Sequence, residues 1–345
     1  MRVLVTGHDG YIGQVLVPLL KAAGHEPVGL DSFFFAGCDF PGQPRAELPV
    51  INRDVRDVTA QDLAGFDAVL HLAGLSNDPL GDLDAELTYD INLRGSVRVA
   101  QLAKAAGVER FVFASSCSNY GASGDDYLDE TGELSPVTPY AKSKVMVEEQ
   151  VAPMADDSFT PVFLRAATAY GMSSKLRGDL VVNNLIGYAI TSGEVLIKSD
   201  GMPWRPLVHI EDIARAYLAL LEAPASVVRN EAFNVGKTSE NYRVREVADM
   251  VAEIVPNCRV TYAPGASPDK RNYRVNCDKI RRLVPAYQPQ WTLRRGIEQI
   301  YAAYRDTGLT GADFAGPRYM RLQHIRNLIA RGELDGALRW RRAAE

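Results

Sequence analysis

Tyr140 and Lys144 are the two residues whose types and spacing point most directly to chemistry. Residues four apart on a helix share a face, so a phenol and an ammonium at these positions can approach the same atom. A free tyrosine has a pKa of about 10, and an ammonium about 5 Å away stabilises its phenolate by roughly 3 kcal/mol at an effective dielectric constant of about 20. A second positive charge would complete the shift towards neutral pH. The pair therefore predicts a base for an alcohol that works beside a cationic cofactor, although an ordinary surface helix remains the alternative.

A glycine-rich turn near the N-terminus could hold such a cofactor. Gly7, Gly10 and Gly13 lie between a short apolar segment and an apolar helical pattern, and Asp31 ends the next apolar segment. Strand, glycine turn, helix, strand and acid in this order are typical of a dinucleotide site, in which the backbone approaches a pyrophosphate and the acid binds a ribose. Because the charge of Asp31 would repel a 2′-phosphate, and no arginine follows within a few residues, NAD is favoured over NADP. The spacing is G-x-x-G-x-x-G, and a turn without a nucleotide remains the alternative.

Apolar segments and helical patterns alternate through the first half of the chain. The apolar segments are residues 68–72, 111–114 and 162–165, and a helical pattern covers residues 86–106. This alternation predicts a doubly wound parallel sheet. Ligands bind beyond the carboxyl ends of the strands in such a sheet, which is where Gly74, Ser116 and Tyr140 are expected.

The composition argues against several classes of function. A chain of 345 residues is long enough for one large α/β domain and a smaller one, and a net charge of −5 argues against a general nucleic-acid or membrane-surface binder. The 4 cysteines and 5 histidines are dispersed, so we expect reduced thiols in a cytoplasmic protein and no metal site. No apolar run is long enough for a transmembrane helix, and the N-terminus leads directly into a strand rather than a signal peptide.

The ordered set of motifs resembles that of the extended short-chain dehydrogenase/reductases. Within this family it is most similar to the nucleotide-sugar epimerase/dehydratase group, in particular the UDP-sugar 4-epimerases. The motifs are T-G-x-x-G-x-x-G, Asp54-Val55-Arg56-Asp57, His71-Leu72-Ala73-Gly74, Asn92, Ser115-Ser116, Tyr140-x-x-x-Lys144 and Arg205-Pro206-Leu207-Val208-His209. The similarity runs from residue 1 to about residue 285. It implies a Rossmann-type doubly wound parallel sheet with a smaller mixed α/β lobe that binds the substrate.

We expect two lobes. Residues 1–172 and about 205–237 would form the NAD-binding domain, and residues 173–204 and about 238–345 the nucleotide-sugar lobe. In this division the segments 206–208, 212–221 and 233–236 return to the sheet. An amphipathic pattern over residues 317–340 predicts a further helix that packs on the body of the protein.

The resemblance also implies a cofactor site for NAD. Its residues would be Gly7, Gly10, Tyr11, Ile12, Gly13, Asp31, Asp54, Val55, Leu72, Ala73, Gly74, Asn92, Ser115, Tyr140, Lys144 and Ala167. In this family the glycines hold the pyrophosphate, the acid at 31 the ribose, and residues 54 and 55 the adenine, while the asparagine braces a helix and a strand.

Three residues would carry the catalysis implied by the resemblance. Tyr140 is the expected acid and base, and Ser116 is expected to hydrogen-bond the reacting oxygen. Lys144 would bind the nicotinamide ribose and lower the pKa of the tyrosine. Ser115 or Ser118 could replace Ser116 in this role.

The substrate is implied to be a nucleotide-diphosphate sugar. The candidate contacts are Ser116, Cys117, Ser118, Thr168, Asn184, Leu185, Arg205 and Arg271. The two arginines would meet the diphosphate, because a guanidinium fork matches phosphate oxygens. For each of them, a solvated surface position is the alternative.

Departures from the family pattern narrow the reaction. Members that eliminate water carry an Asp-Glu pair directly after the hydroxyl residue, and sugar-acid decarboxylases tend to carry a glutamate there, whereas this chain has Cys117-Ser118. Thr168 stands where many 4-epimerases have asparagine, which suggests an unusual sugar. Cys117 could relay a proton at a neighbouring carbon, or it could be a small buried side chain.

These residues predict an NAD-dependent epimerase that works through a transient keto-sugar, with C4 as the favoured carbon. A dehydratase, decarboxylase or ketoreductase of the same substrates is the alternative, and a non-catalytic NAD-binding sensor is a rival from another class. The family further implies a homodimer built from helices near residues 86–106 and 139–152, where Val145 and Met146 offer apolar surface.

Overall fold

A seven-stranded parallel sheet forms the centre of the computed structural model, which describes residues 1–81, 83–197, 199–263 and 271–341. The strands of the described residues are β1 (Arg2–Thr6), β2 (Glu26–Asp31), β3 (Val50–Asn52), β4 (Ala68–His71), β5 (Arg110–Ser116), β6 (Ala122–Leu128), β7 (Thr160–Ala166), β8 (Thr168–Tyr170), β9 (Glu194–Ile197), β10 (Trp204–His209), β11 (Glu231–Val235), β12 (Asn241–Arg243), β13 (Arg259–Tyr262) and β14 (Asn272–Val275). The order β3-β2-β1-β4-β5-β7-β11, with every pair parallel, confirms the predicted doubly wound sheet.

Helices cover both faces of this sheet. The α-helices are α1 (Gly13–Ala22), α2 (Ala60–Leu63), α3 (Asp78–Gly81), α4 (Ala85–Thr88), α5 (Gly95–Ala105), α6 (Pro139–Val151), α7 (Val181–Ser192), α8 (Ile210–Glu222), α9 (Ala225–Val228), α10 (Val244–Ile254), α11 (Asp278–Leu283), α12 (Leu293–Asp306), α13 (Gly311–Phe314) and α14 (Arg321–Ala330). Short 3₁₀ helices cover Val55–Asp57, Cys117–Tyr120 and Ala152–Met154. The helix predicted over residues 86–106 is present, with a π-helical segment at Tyr89–Arg94 between α4 and α5. No helix within the described ranges is long and apolar enough to cross a membrane.

The central strands are apolar throughout because both faces of the sheet are covered. Alternate residues of β1 enter two different hydrophobic cores. Val3 and Val5 belong to the core with Leu16 of α1, whereas Leu4 belongs to the core with Phe111 on the opposite face. This double burial fixes the strand order that brings the carboxyl ends of β1, β4, β5 and β7 together.

Smaller sheets and a third core lie beyond these carboxyl ends. Strand β10 pairs with β8 and β12, β9 pairs with β13, and β6 pairs with β14. The prediction that residues 206–208 return to the main sheet is therefore wrong, because β10 pairs with β8 and β12 in a separate three-stranded sheet. The other two segments predicted to return do belong to this part of the fold. Residues 212–221 lie in α8, whose apolar face packs on the main sheet, and residues 233–236 overlap β11, the edge strand of that sheet. The division into two lobes with the stated boundaries stays a prediction.

A buried ion pair joins α6 to the sheet. The Arg165 guanidinium in β7 donates to both carboxylate oxygens of Glu148 in α6, over 2.6 to 3.2 Å. The same carboxylate accepts hydrogen bonds from Ser115 in β5 and from the Asn119 amide. Because Glu148 lies one helical turn after Lys144, this network sets the position of the helix that carries the tyrosine–lysine pair.

Glu148→Gln should lower the free energy of unfolding by about 3 kcal/mol, because it leaves the buried Arg165 charge without a counter-charge. Urea unfolding of the two proteins measures the difference. The double variant Glu148→Leu/Arg165→Met removes both charges and should lose less stability than the single variant. A single variant as stable as the wild type would show that the pair does not anchor α6.

Candidate active site

A cavity of about 1240 Å³ opens at the carboxyl ends of the central strands. It is larger than the roughly 300–1,000 Å³ common for one small ligand, and it can therefore receive a dinucleotide and a second molecule. The predicted site residues that line it are Gly7, Gly10, Tyr11, Ile12, Gly13, Asp31, Asp54, Val55, Leu72, Ala73, Gly74, Ser115, Ser116, Ser118, Tyr140, Lys144, Ala167, Thr168, Asn184, Leu185, Arg205 and Arg271.

The glycine turn between β1 and α1 allows two close backbone approaches. Gly7 has a φ of +73°, and a Cβ there would lie 2.8 Å from the backbone nitrogen of Ala73. A Cβ on Gly13 would lie 2.5 Å from the carbonyl oxygen of His8. Gly10 faces the cavity instead, and a side chain there would occupy the space that a pyrophosphate needs at the start of α1. The turn thus has the shape required to hold a dinucleotide.

Asp31 is held at the end of β2 by two backbone amides. Its carboxylate accepts hydrogen bonds from the nitrogens of Asp9 (3.0 Å) and Phe33 (2.9 Å), and the Nδ1 atom of His8 lies 4.0 Å away. Burial raises the pKa of Asp31 and lowers the pKa of His8. The carboxylate is thus oriented before any ribose binds.

Arg53 is a cavity residue that the sequence analysis missed. The parallel register pairs Asp31 with Asn52, and the Arg53 nitrogen donates to the carbonyl oxygen of Asp31 at 3.0 Å. The Arg53 side chain is partly exposed and lies 3.4 Å from Asp62. An arginine therefore does lie beside the ribose position, brought there by β3 rather than by the residues after Asp31.

Asp54 caps the following 3₁₀ helix. Its carboxylate accepts hydrogen bonds from the backbone and side chain of Arg56, and Arg339 lies 3.3 Å from it. Because the Asp54 carboxylate is already paired with these two arginines, the backbone at residues 54 and 55 is better placed than the carboxylate for the predicted contact with the adenine ring.

Tyr140 and Lys144 enter the cavity from the first turn of α6. Thr138 caps this helix by accepting a hydrogen bond from the nitrogen of Ala141, and Pro139 occupies the first helical position. The Lys144 ammonium lies 5.7 Å from the centroid of the Tyr140 ring and 4.7 Å from that of Phe113. The predicted pair is therefore present on one helix face inside the cavity.

The phenol of Tyr140 is protonated in the protein alone. Burial and then the charge of Asp78 raise the pKa of Tyr140 to about 12, and a hydrogen bond with Ser116 opposes this rise. Burial lowers the pKa of Lys144 to about 8, which weakens it as a source of positive charge. The expected depression of the tyrosine pKa by this lysine is not seen, so formation of the phenolate near neutral pH would require a further positive charge in the cavity.

Ser115 and Ser116 at the end of β5, and Ser118 just after it, have different partners. Ser115 is bonded to Glu148 in the anchoring network, and the Ser118 hydroxyl donates to Ser116 at 2.8 Å. Ser116 alone among them is bonded to Tyr140. The geometry therefore favours Ser116 as the hydroxyl that meets the reacting oxygen.

Two predicted site residues do not line the cavity. Cys117 is fully buried, donates to the carbonyl oxygen of Arg165 at 3.1 Å, and has a pKa raised by burial. The 3₁₀ helix that begins there turns its side chain inwards, so the structure does not place it on the substrate side. Asn92 is buried between Leu75, with which it exchanges two hydrogen bonds, and Ser143 of α6. It braces the turn after β4 and does not itself contact the cavity.

Arg205 and Arg271 line the cavity and are linked to the residues just before α6. The Arg205 guanidinium donates to the carbonyl oxygens of Trp204 and Arg271. Arg271 pairs with Asp78 at 2.6 Å, and Asp78 also accepts a hydrogen bond from Thr138. This arrangement ties the predicted diphosphate contacts to the start of α6, the helix that carries Tyr140 and Lys144.

A second buried ion pair lines the cavity and was not predicted. Arg177 donates to both oxygens of Asp179, at 3.0 and 2.9 Å, and to Ser76, while Asn77 donates to the same carboxylate. Burial raises the pKa of Asp179, but the Arg177 guanidinium outweighs it and holds that pKa below its usual value. The pair lies in an irregular segment, and nothing in its local sequence pattern distinguishes it from a surface pair.

Comparison with known proteins decides the family. The family model described as "NAD dependent epimerase/dehydratase family" matches residues 3–236. The chain belongs to the NAD-dependent epimerase/dehydratase family. It is 31% identical to the UDP-glucose 4-epimerase of Homo sapiens over 71% of this chain and 80% of that protein.

Solved structures of the family share the fold. MoeE5 in complex with UDP-glucuronic acid and NAD has a TM-score of 0.77 and 26% identity, over 89% of this chain and 100% of that one. DesIV, a dTDP-glucose 4,6-dehydratase from Streptomyces venezuelae with NAD and TYD bound, has a TM-score of 0.77 and 25% identity, over 90% and 99%. This chain is therefore an enzyme of the family, and its cofactor is NAD. The glycine turn and the oriented Asp31 fit that cofactor, and the described residues contain no group of three or more His, Cys, Asp or Glu side chains that could hold a metal.

The tyrosinate spectrum should depend on the cofactor. Because the pKa of Tyr140 is about 12 in the protein alone, Tyr140→Phe should not change the tyrosinate absorbance below pH 9 when NAD has been removed. With NAD bound, the same substitution should remove one tyrosinate signal from this range. Equal difference spectra with and without NAD would contradict the proposed link between the cofactor charge and the phenol.

Asp31→Ser should shift the cofactor preference towards NADP by about tenfold or more, since it removes a repelling charge and leaves Arg53 beside the ribose. Calorimetric titration of the cofactor-free protein with NAD and NADP measures this preference. The double variant Asp31→Ser/Arg53→Gln should lose the gain in NADP affinity. An unchanged preference in the single variant would show that Asp31 does not contact the ribose.

Proposed function

We propose that this enzyme epimerises a nucleotide-diphosphate sugar through a transient keto-sugar, with C4 as the carbon that inverts. The observation that carries the proposal is the absence of an acid at the two positions after Ser116. Cys117 is buried and bonded to a carbonyl oxygen, and Ser118 donates to Ser116. Elimination of water needs a proton donor at the leaving group, whereas oxidation and re-reduction need only a base at the hydroxyl.

The remaining acids near the sugar position support the same reaction. Asp78 and Asp179 line the cavity on this side, and each is held by an arginine, Arg271 and Arg177 respectively. A guanidinium partner stabilises the charged form of a carboxylate, and Arg177 holds the pKa of Asp179 below its usual value, so this acid is a poor proton donor. Similarity to UDP-glucose 4-epimerases and to MoeE5 bound to UDP-glucuronic acid supports a nucleotide sugar as the substrate class.

The proposed chemistry uses one base and one hydrogen-bonding hydroxyl. Tyr140, as the phenolate, takes the proton from the sugar hydroxyl while Ser116 holds the same oxygen. NAD, when bound, accepts a hydride from the carbon and later returns it. Lys144 stabilises the phenolate and positions the nicotinamide ribose. The keto-sugar rotates in the cavity, so that its opposite face is reduced. Tyr140 then gives the proton back, and substrate and product have the same composition.

The test is incubation of the purified enzyme with a panel of nucleotide sugars, followed by mass spectrometry and NMR of the products. The proposal predicts an unchanged mass with inverted configuration at one carbon. Loss of water or of carbon dioxide would instead identify a dehydratase or a decarboxylase. Net consumption of added NADH would identify a ketoreductase, and NAD binding without turnover of any nucleotide sugar would favour a sensor.

Tyr140→Phe should lower turnover by about 10²- to 10⁴-fold, the range for loss of a general acid–base group, and should leave NAD bound. Tyr127→Phe is the matched control, because Tyr127 is exposed and does not line the cavity. Wild-type turnover in the Tyr140 variant would contradict the mechanism.

Two further expectations stay predictions. One is homodimerisation through the helices near residues 86–106 and 139–152, where Met146 is exposed. The other is a cytoplasmic location.

A further inference from the structure

Arg321 is a buried cation that the proposed reaction does not use. It begins α14, is 2% exposed and lines the large cavity. Its guanidinium stacks on the Phe35 ring, 3.8 Å from the centroid, and one nitrogen (Nη2) donates to the carbonyl oxygen of Lys175 at 3.0 Å. The other terminal nitrogen, Nη1, is buried and has no hydrogen-bond partner among the described residues. A buried charged donor without a partner is costly, so its retention points to a ligand.

The charges around Arg321 do not neutralise it. The buried Lys175 ammonium lies 3.3 Å from Asp9 and 3.0 Å from Asp39, and Arg177 holds Asp179. In the ranges that the structure describes, no carboxylate lies within 4.0 Å of the Arg321 guanidinium. Burial and then the charge of Arg177 lower the pKa of Arg321 to about 10. The wall of the cavity therefore presents the positive charge of Arg321, while the nearby carboxylates are paired with Lys175 and Arg177.

The chain after Arg321 is fastened over the adenosine end of the site. We call residues 321–341 the C-terminal strap. The Trp340 indole donates to the carbonyl oxygen of Ser32, and Arg56 donates to the carbonyl oxygens of Ala337 and Leu338 at 2.8 and 3.1 Å. The side chains of Leu334 and Leu338 are fully buried in the core that contains Leu4.

The strap thus touches the same segments that carry the cofactor residues. Arg339 lies 3.3 Å from Asp54, and Ser32 directly follows Asp31. At the other end, Arg321 is joined through Lys175 to Asp9 within the glycine turn. A single segment therefore links the ribose, adenine and pyrophosphate positions of the NAD site.

We propose that the C-terminal strap closes the cofactor cleft and that Arg321 binds a diphosphate there, the one in NAD. A nucleotide sugar also carries a diphosphate. Arg321, however, contacts Phe35 after β2 and the carbonyl oxygen of Lys175, whose ammonium pairs with Asp9 of the glycine turn. Arg205 and Arg271 are instead linked to each other and to Asp78. The strap explains how the enzyme retains a cofactor that an epimerase regenerates in each cycle. The inference depends on NAD as the cofactor and not on the epimerase reaction.

The test compares release of NAD from the full-length holoenzyme and its Arg321→Met variant, in which the side chain can still pack on Phe35. Release is followed as NAD retained during dialysis and as exchange with labelled NAD. We expect release about 10- to 100-fold faster, the range for loss of a charge-assisted hydrogen bond. Arg305→Gln is the control, because it removes the same charge from an exposed position in α12, outside the strap.

Probes of the cofactor-free protein separate a phosphate contact from a structural role. ADP-ribose should bind more weakly to Arg321→Met than to the wild type, while adenosine, which lacks the diphosphate, should bind equally. Equal loss for both probes would indicate a merely structural role and overturn the proposal. Unchanged NAD release with weaker binding of UDP to the holoenzyme would move the contact to the substrate diphosphate and overturn the cofactor assignment.

The closure itself is tested by hydrogen exchange. Backbone amides of residues 331–341 should exchange more slowly when NAD is bound, and Trp340→Ala should abolish this protection and hasten NAD release. Exchange in the strap that does not respond to NAD would overturn the closure. None of these readouts depends on turnover, so failure of the proposed reaction would leave them interpretable.

Discussion

The buried ion pair between Glu148 and Arg165 is the interaction on which the position of the active site depends. It fixes α6 against the parallel sheet two helical turns after Tyr140, and it draws in Ser115, the neighbour of Ser116 in β5. The phenol and the hydroxyl that must meet one oxygen atom thus come from two elements held by one network. A shift of α6 along its axis would separate them, because one residue corresponds to a rise of about 1.5 Å.

The electrostatics of the cavity make catalysis conditional on the cofactor. Burial and Asp78 keep the phenol of Tyr140 protonated, and burial also weakens Lys144 as a cation. Tyr140 and Lys144 therefore do not form a base by themselves in the protein without its cofactor. A base that forms only when a positive cofactor is present acts only in the assembled complex, which fits a reaction that uses the same NAD molecule in every cycle. Arg321 would serve the same requirement by slowing the release of NAD.

Sequence patterns predicted the parts of the site whose residues lie close together in the chain. The glycine turn, Asp31 and the Tyr140–Lys144 pair depend on short spacings along the chain, so the sequence could predict them as candidates, and the structure brings them to one cavity. Asn92 was placed by resemblance, and its hydrogen bonds to Leu75 explain why an asparagine stands there. Cys117 was misplaced because the direction of its side chain is set by the 3₁₀ helix that follows β5, which periodicity does not reveal.

The residues that the sequence did not predict come from distant segments. Arg53 reaches Asp31 through the register of two parallel strands. Arg321 bonds to Lys175, 146 residues earlier in the chain, and the Lys175 ammonium pairs with Asp9 of the glycine turn. A buried arginine and an exposed one look the same in a sequence, so only the packing of the tail revealed its role. The same limit applies to Arg177 and Asp179.

In the proposed reaction one carbon is oxidised and reduced again without loss of a group, and the fate of its hydrogen distinguishes this route from removal of a proton. The reaction is run in D₂O with a nucleotide sugar that the enzyme converts, and the product is examined by NMR at the inverted carbon. The account predicts inverted configuration with the original hydrogen retained, because that hydrogen never exchanges with solvent. Deuterium at the inverted carbon would mean removal of a proton rather than a hydride, and would contradict the account.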